Sequence, residues 1–329
     1  MTSYHYYTIF FNNMKTTNLT YLSYDNETQI QAWLKEPNKV ASGKDLPRAV
    51  IQVVHGAAEH SGRYSHIAKH LVDQGFVVCG EDHVGHGKSA ASPDDLGHIP
   101  AENGDRILIE DVHSLRETVQ KRYLESVPYI MLGHSMGSFI VRVYISIYGD
   151  GLDAVVLSGT AEPRMATMLP TLAYLKRVVK KQGERTVSTN LHKLGLGSYS
   201  RVIKDRRTDF DWICTDPEVV DAYIADPLCG FMFTNGAYLT LATLMRNMVS
   251  VEKGFTPANL RILCLAGGKD PVSKFGRAPK AMAASFKRAL KGDVETALLS
   301  DARHEIFNEP DWKKTLNTLI TWMEHRLGV

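Results

Sequence analysis

Tyr129-Ile-Met-Leu-Gly-His-Ser-Met-Gly137, continuing as Ser138-Phe-Ile-Val-Arg-Val-Tyr-Ile-Ser-Ile-Tyr148, is the stretch that decides the fold. Tyr129 to Leu132 is an apolar run of strand length. Met136 to Tyr148 is helical in pattern and stopped by Gly149. Between them lies G-x-S-x-G, in the strand-turn-helix setting that this motif requires. A turn this tight needs small flanking residues, so Gly133 and Gly137 let the backbones pass while Ser135 projects above the sheet. The start of the helix aims unpaired N–H groups at the same point, where negative charge can be held.

Working outward, Ala49 to Val54, Phe76 to Cys79, Ala154 to Leu157, Arg261 to Ala266 and Glu295 to Leu299 are further short apolar runs. Helical patterns separate them at Tyr64 to Gln74, Asp105 to Leu124, Pro279 to Leu290 and Asp311 to Arg326. Strands apolar on both faces, alternating with helices, indicate a parallel sheet covered on both sides. The alternating runs from Asn18 to Trp33, around an Asp-Asn turn, predict an antiparallel hairpin at one edge. From about Thr160 to Val251 the alternation gives way to helical patterns, the mark of an inserted cap. The domain reading is therefore an extension over residues 1–15, an α/β core over 16–159 and 252–329, and a helical cap over 160–251.

A serine hydroxyl attacks only when a base takes its proton, and the base needs an acid to fix its tautomer. Downstream, Asp270 follows the run ending at Ala266, and His304 follows the run ending at Leu299. Both loops open on the same sheet edge as Ser135. Asp301 competes for the acid role, but it sits on the base's own loop, so Asp270 is preferred. An oxyanion needs two donors: the backbone N–H of Met136, just after the serine, and that of Ala57, in the loop after the first parallel strand. The segment Asp82-His-Val-Gly-His-Gly-Lys-Ser89 is read as a structural loop.

Composition agrees with a full core: 44% of the 329 residues are apolar and 22% charged. A net charge of +2 gives no reason to expect nucleic-acid binding. Its distribution is uneven, with eleven Lys/Arg against two acids from Arg164 to Arg207, then six acids and no Lys/Arg from Thr208 to Cys229. The cysteines, Cys79, Cys214, Cys229 and Cys264, are scattered among apolar neighbours, as buried free thiols are. With no long apolar span and no leader-like start, a reducing cytoplasm is the expected location. Neither a metal nor a cofactor is expected, since no H-E-x-x-H, Cys/His cage, G-x-G-x-x-G or phosphate loop is present. Met165, Met168, Leu169, Leu172, Leu175 and Val179 fall at helical spacing beside Lys176, Arg177, Lys180 and Lys181. Such a helix either packs its stripe on the core or rests on an anionic bilayer as a peripheral contact.

In their order and spacing, HGAAEHSGRY (55–64), DHVGHGKS (82–89), GHSMGS (133–138), DPLCGF (226–231), GKDPV (268–272) and RHEIFNE (303–309) resemble the monoglyceride lipase and lysophospholipase-like branch of the α/β-hydrolases. The resemblance implies an α/β-hydrolase fold with a mostly parallel eight-stranded sheet, and hydrolysis of a small-molecule, single-chain acyl ester held under the cap. It places the polar head-group site on Glu59 and Arg63, which read equally well as a loop-bracing ion pair. Short-chain carboxylesterase, thioesterase and aminopeptidase activities use the same acyl transfer. A non-catalytic ligand-binding member of the fold is the remaining alternative.

Overall fold

A computed structural model describes residues 5–11, 13–251, 257, 259–289 and 294–329. The start of the second core segment at 252, and parts of the N-terminal extension, lie outside them. Nine strands form one sheet: β1 (His5–Phe11), β2 (Met14–Leu22), β3 (Gln29–Pro37), β4 (Val50–Val54), β5 (Val77–Glu81), β6 (Tyr129–His134), β7 (Ala154–Ser158), β8 (Arg261–Gly267) and β9 (Val294–Leu299). Their order is β1-β2-β3-β5-β4-β6-β7-β8-β9, antiparallel from β1 to β5 and parallel from β5 to β9.

The eight expected strands are β2 to β9. β1 is an addition: part of the segment read as an extension pairs antiparallel with β2 and takes the edge that the hairpin was expected to occupy. Its sequence, HYYTIFF, is rich in aromatic and β-branched residues, which suit a pleated surface.

The described α-helices are α1 (Asn38–Ala41), α2 (Ser65–Asp73), α3 (Gly104–Gln120), α4 (Met136–Tyr148), α5 (Met165–Gln182), α6 (Thr189–Leu194), α7 (Pro217–Ala225), α8 (Asn235–Val251), α9 (Arg277–Ala289) and α10 (Trp312–Leu327), with short 3₁₀ turns between some of them. Four of them, α5 to α8, fall between β7 and β8.

Alternation along the strands divides the core in two. Met131, Val155, Leu157, Ile262 and Cys264 pack on the face covered by α3, α4 and α8. Ile130, Leu132, Val156, Leu263 and Leu265 pack on the face covered by α2 and α10. Period-2 side chains on strands buried from both sides produce this split. All four cysteines are buried thiols outside any disulfide. No helix among the described residues is long and apolar enough to cross a membrane.

The chain runs from β4 to β5 on one side and then crosses to β6 on the other. The strand order therefore reverses at β4 and β6, and a crevice opens at their C-terminal ends, where open α/β sheets place their ligands. Val54 pairs with Gly133, so the loop after β4 begins beside Ser135.

Candidate active site

Ser135 sits between β6 and α4 at φ 51° and ψ −118°, a conformation that costs a non-glycine residue of order 1–3 kcal/mol. Neighbouring bonds hold it there: its N–H donates to the Ser158 carbonyl at 2.9 Å, and its own carbonyl accepts from Ser138 N at 2.9 Å and Ser138 Oγ at 2.6 Å. The flanking glycines are required by close approach. A Cβ on Gly137 would lie 2.0 Å from the Val54 carbonyl oxygen, and one on Gly133 would lie 2.6 Å from the Gly137 carbonyl oxygen. Every residue from Tyr129 to Ile145 is buried except Ser135.

Asp270 and His304, at the ends of β8 and β9, come together as the sequence reading required. His304 Nδ1 lies 3.0 Å from Asp270 Oδ1. Asp270 Oδ1 also accepts from Val272 N at 2.8 Å, and Oδ2 from Ser273 N at 3.3 Å. Burial alone would raise the Asp270 carboxyl; the charge and hydrogen bond of His304, with these donors, outweigh it and hold the group below its ordinary value. Burial alone would likewise push His304 down. Asp270, with the charges of Glu305 and Glu59 behind it, overrides burial and holds the imidazole above its ordinary value. With Nδ1–H donating to Asp270, the neutral ring carries its lone pair on Nε2, which is buried and has no hydrogen-bond partner among the described residues. His134, at a ring separation of 4.6 Å from His304, is pushed down to about 3 by burial and by His304, so it stays neutral. Asp301 stands apart: its side chain is 91% exposed and pairs with Lys269 at 3.2 Å.

Ser135, His304, Ala57 and Met136 line one cavity of about 300 Å³. Among the described residues the backbone N–H groups of Ala57 and Met136 have no backbone acceptor. The Ala57 loop is tied to residues between β7 and β8, because the Ala58 carbonyl accepts from Gly230 N at 2.9 Å and from Tyr223 OH at 2.7 Å. His60 Nε2 meets Asp226 at 3.0 Å across the same seam. Cys229 joins these two in a group whose ligand atoms lie within 4.8 Å of one another, the His/Cys/Asp/Glu grouping among the described residues close enough to hold an ion. His60 and Asp226 already satisfy each other there.

Glu59 lines the cavity and Arg63 does not. Glu59 Oε1 accepts from Gly56 N at 2.6 Å and Tyr64 OH at 2.9 Å, and Oε2 from Arg63 Nη1 at 2.9 Å. Arg63 is also held by both oxygens of Glu305, at 2.6 and 2.7 Å, with its guanidinium 4.8 Å from the centre of the Tyr223 ring. Every charge in this buried trio is already engaged, which is the geometry of a brace.

Sequence reasoning missed Glu305 and Trp212. Glu305 adjoins His304 within RHEIFNE, so a carboxylate beside the base was a visible signal. Trp212, whose ring lies 5.0 Å from that of His304, comes from the segment between β7 and β8 and carried no local signal.

A strained serine between strand and helix and a carboxylate-backed histidine at successive strand ends, on a sheet of this order, define an α/β-hydrolase. Residues 45–311 match the Hydrolase_4 family, described as serine aminopeptidase, S33, and the chain belongs to that family. It is a serine hydrolase. Similar proteins include a monoacylglycerol lipase of Mycolicibacterium smegmatis, 29% identical over 282 residues that cover 85% of this chain and 90% of the relative. A monoglyceride lipase of Rattus norvegicus is 28% identical, over 86% of this chain and 84% of the relative. Among solved structures, a thermostable carboxyl esterase from Bacillus coagulans in complex with glycerol superposes with a TM-score of 0.85 at 29% identity, covering 94% of this chain and 98% of that one.

Proposed function

We propose that the chain hydrolyses carboxylic esters of single-chain lipids, of the monoacylglycerol or lysophospholipid type, with Ser135 as nucleophile, His304 as base and then acid, and Asp270 as the group that orients it. The supporting observation is the 3.0 Å contact of His304 Nδ1 with Asp270, which leaves Nε2 a free lone pair in the cavity that Ser135 lines. Ser135 Oγ attacks the ester carbonyl while His304 Nε2 takes its proton. The Ala57 and Met136 N–H groups hold the oxyanion. Collapse breaks the acyl–oxygen bond, and the His304 proton goes to the departing alcohol. Water, deprotonated by His304, then cleaves the acyl-enzyme to release the fatty acid and restore Ser135.

Residues 160–251 act in this reading as a lid whose Trp212 shields the base and whose Tyr223 and Gly230 hold the oxyanion loop. Phe139, Leu241 and Met245 supply apolar wall for the acyl chain. Glu59 and Arg63 brace the loop. Peripheral contact with an anionic bilayer falls to the outer face of α5: Met168, Leu172, Leu175 and Val178 are buried and α5 packs on α8, while Leu169 and Tyr174 face outward beside Lys176, Arg177, Lys180 and Lys181. Flotation with anionic vesicles that is unchanged by charge reversal at Lys180 and Lys181 would remove that part of the reading.

A hydrolysis panel of monoacylglycerols, lysophospholipids, short p-nitrophenyl esters, acyl thioesters and aminoacyl amides, run beside Ser135→Ala, tests the substrate class. Cleavage of long-chain glycerol esters, lost in the variant, is expected. Cleavage of aminoacyl amides alone would refute the lipid-ester reading.

A further inference from the structure

The outer part of the cavity is cationic. Lys193, Arg201 and Arg206 line it and are exposed, and among the described residues Asp209 is the single carboxylate that lines it from the segment between β7 and β8. None of the three cations forms an ion pair among the described residues. Arg201 Nη2 donates to the Lys193 carbonyl at 2.9 Å, and Arg206 Nη1 to Ser200 Oγ at 3.5 Å. Neutral acceptors hold these guanidinium groups without cancelling their charge.

Other arginines of the same basic stretch behave differently. Arg185 is paired with Asp95 at 3.0 Å and Arg207 with Asp221 at 2.8 Å, and neither lines the cavity. The cations of this stretch that line the cavity, Lys193, Arg201 and Arg206, are thus the ones left there without a counter-ion among the described residues. Behind the cavity wall, Arg63 is saturated by Glu59 and Glu305, so an anion would find no free cation there.

We propose that the preferred substrate is a single-chain acyl ester whose head group carries a phosphate, with the chain against Phe139, Leu241 and Met245 and the phosphate at Lys193, Arg201 and Arg206. This inference rests on the ester-hydrolase reading above. The planar guanidinium presents paired N–H donors that match phosphate oxygens, and lysine adds a mobile point charge. A neutral glycerol head can accept hydrogen bonds from this rim but gains no charge–charge attraction from it.

The experiment compares kcat/KM for 1-octanoylglycerol and 1-octanoylglycerol 3-phosphate, both as monomers below their aggregation concentrations, in the wild type and in Lys193→Gln/Arg201→Gln/Arg206→Gln. The expected ratio favours the phosphate ester by on the order of 10-fold at low ionic strength. It falls toward 1 in the triple variant and, in the wild type, with added salt. Competitive inhibition by glycerol 3-phosphate, weaker in the variant, supports direct phosphate recognition. A wild-type ratio of 1 or less, a ratio preserved in the variant, or a preference seen only on anionic vesicles would overturn the inference while leaving the ester-hydrolase reading intact. Absence of turnover of both esters by the wild type would overturn that reading, and this inference with it.

Discussion

His304 donates from Nδ1 to Asp270 across 3.0 Å, and this contact joins two loops that are 34 residues apart in the chain. Its consequence is chemical: one carboxylate selects the tautomer, raises the basicity of the ring and leaves Nε2 free. Asp270→Asn therefore lowers kcat by roughly 10⁴-fold, by analogy with triads in general. Asp301→Asn, at an exposed side chain on the base's own loop, stays within about 2-fold. Steady-state kinetics of the two variants side by side separate the acid from its competitor.

The pH profile follows from the same pair. In the proposed mechanism activity requires neutral His304, which Asp270 holds above the ordinary value of 6.5, so the acid limb of kcat/KM is expected to have its midpoint above 6.5. In the residual activity of Asp270→Asn, burial acts without the compensating charge, and the limb moves to lower pH. An unmoved limb would mean that another group governs it.

Glu59 and Arg63 show why some of the site escaped the sequence. Both residues were legible as a pair, read equally as a head-group site or a loop-bracing ion pair, but Arg63 reaches Glu305 across 242 positions, and a long-range pairing leaves no local pattern. The same holds for Trp212 beside His304 and for Tyr223 on the Ala58 carbonyl. What could be read were features that repeat or punctuate: the apolar runs of the parallel strands, the glycines of the elbow, and the polar residues placed just past strand ends. In α5 the apolar stripe was visible, but its phase was not, since Val178 is buried and Leu169 is 60% exposed. Packing on α8 decides that, and helical spacing alone does not.

Removing Arg63 tests the brace. Arg63→Ala leaves Glu59 and Glu305 buried without their counter-ion, at an expected cost of about 3–5 kcal/mol, read as a fall in Tm. A head-group role instead predicts a raised KM with Tm unchanged.

Buried Glu81, hydrogen-bonded by Tyr21, is pushed up to about 8 by burial, against the Tyr21 bond and with the Asp82 charge adding to it. A carboxyl whose folded value lies above its unfolded one contributes stability that is present below the unfolded value, near 4.5, and lost as pH rises through about 8. Tm is expected to fall over that window in the wild type and to fall less in Glu81→Gln. Parallel profiles would contradict the assignment.

The most direct measurement is intact-mass analysis after treatment with a fluorophosphonate probe, which reacts only with an activated serine. One adduct per chain, mapped to Ser135 and absent from Ser135→Ala, is the predicted result, with labelling strongly slowed in His304→Ala. No adduct on folded wild-type protein, or an adduct that persists in Ser135→Ala, would contradict the assignment of Ser135 as the nucleophile.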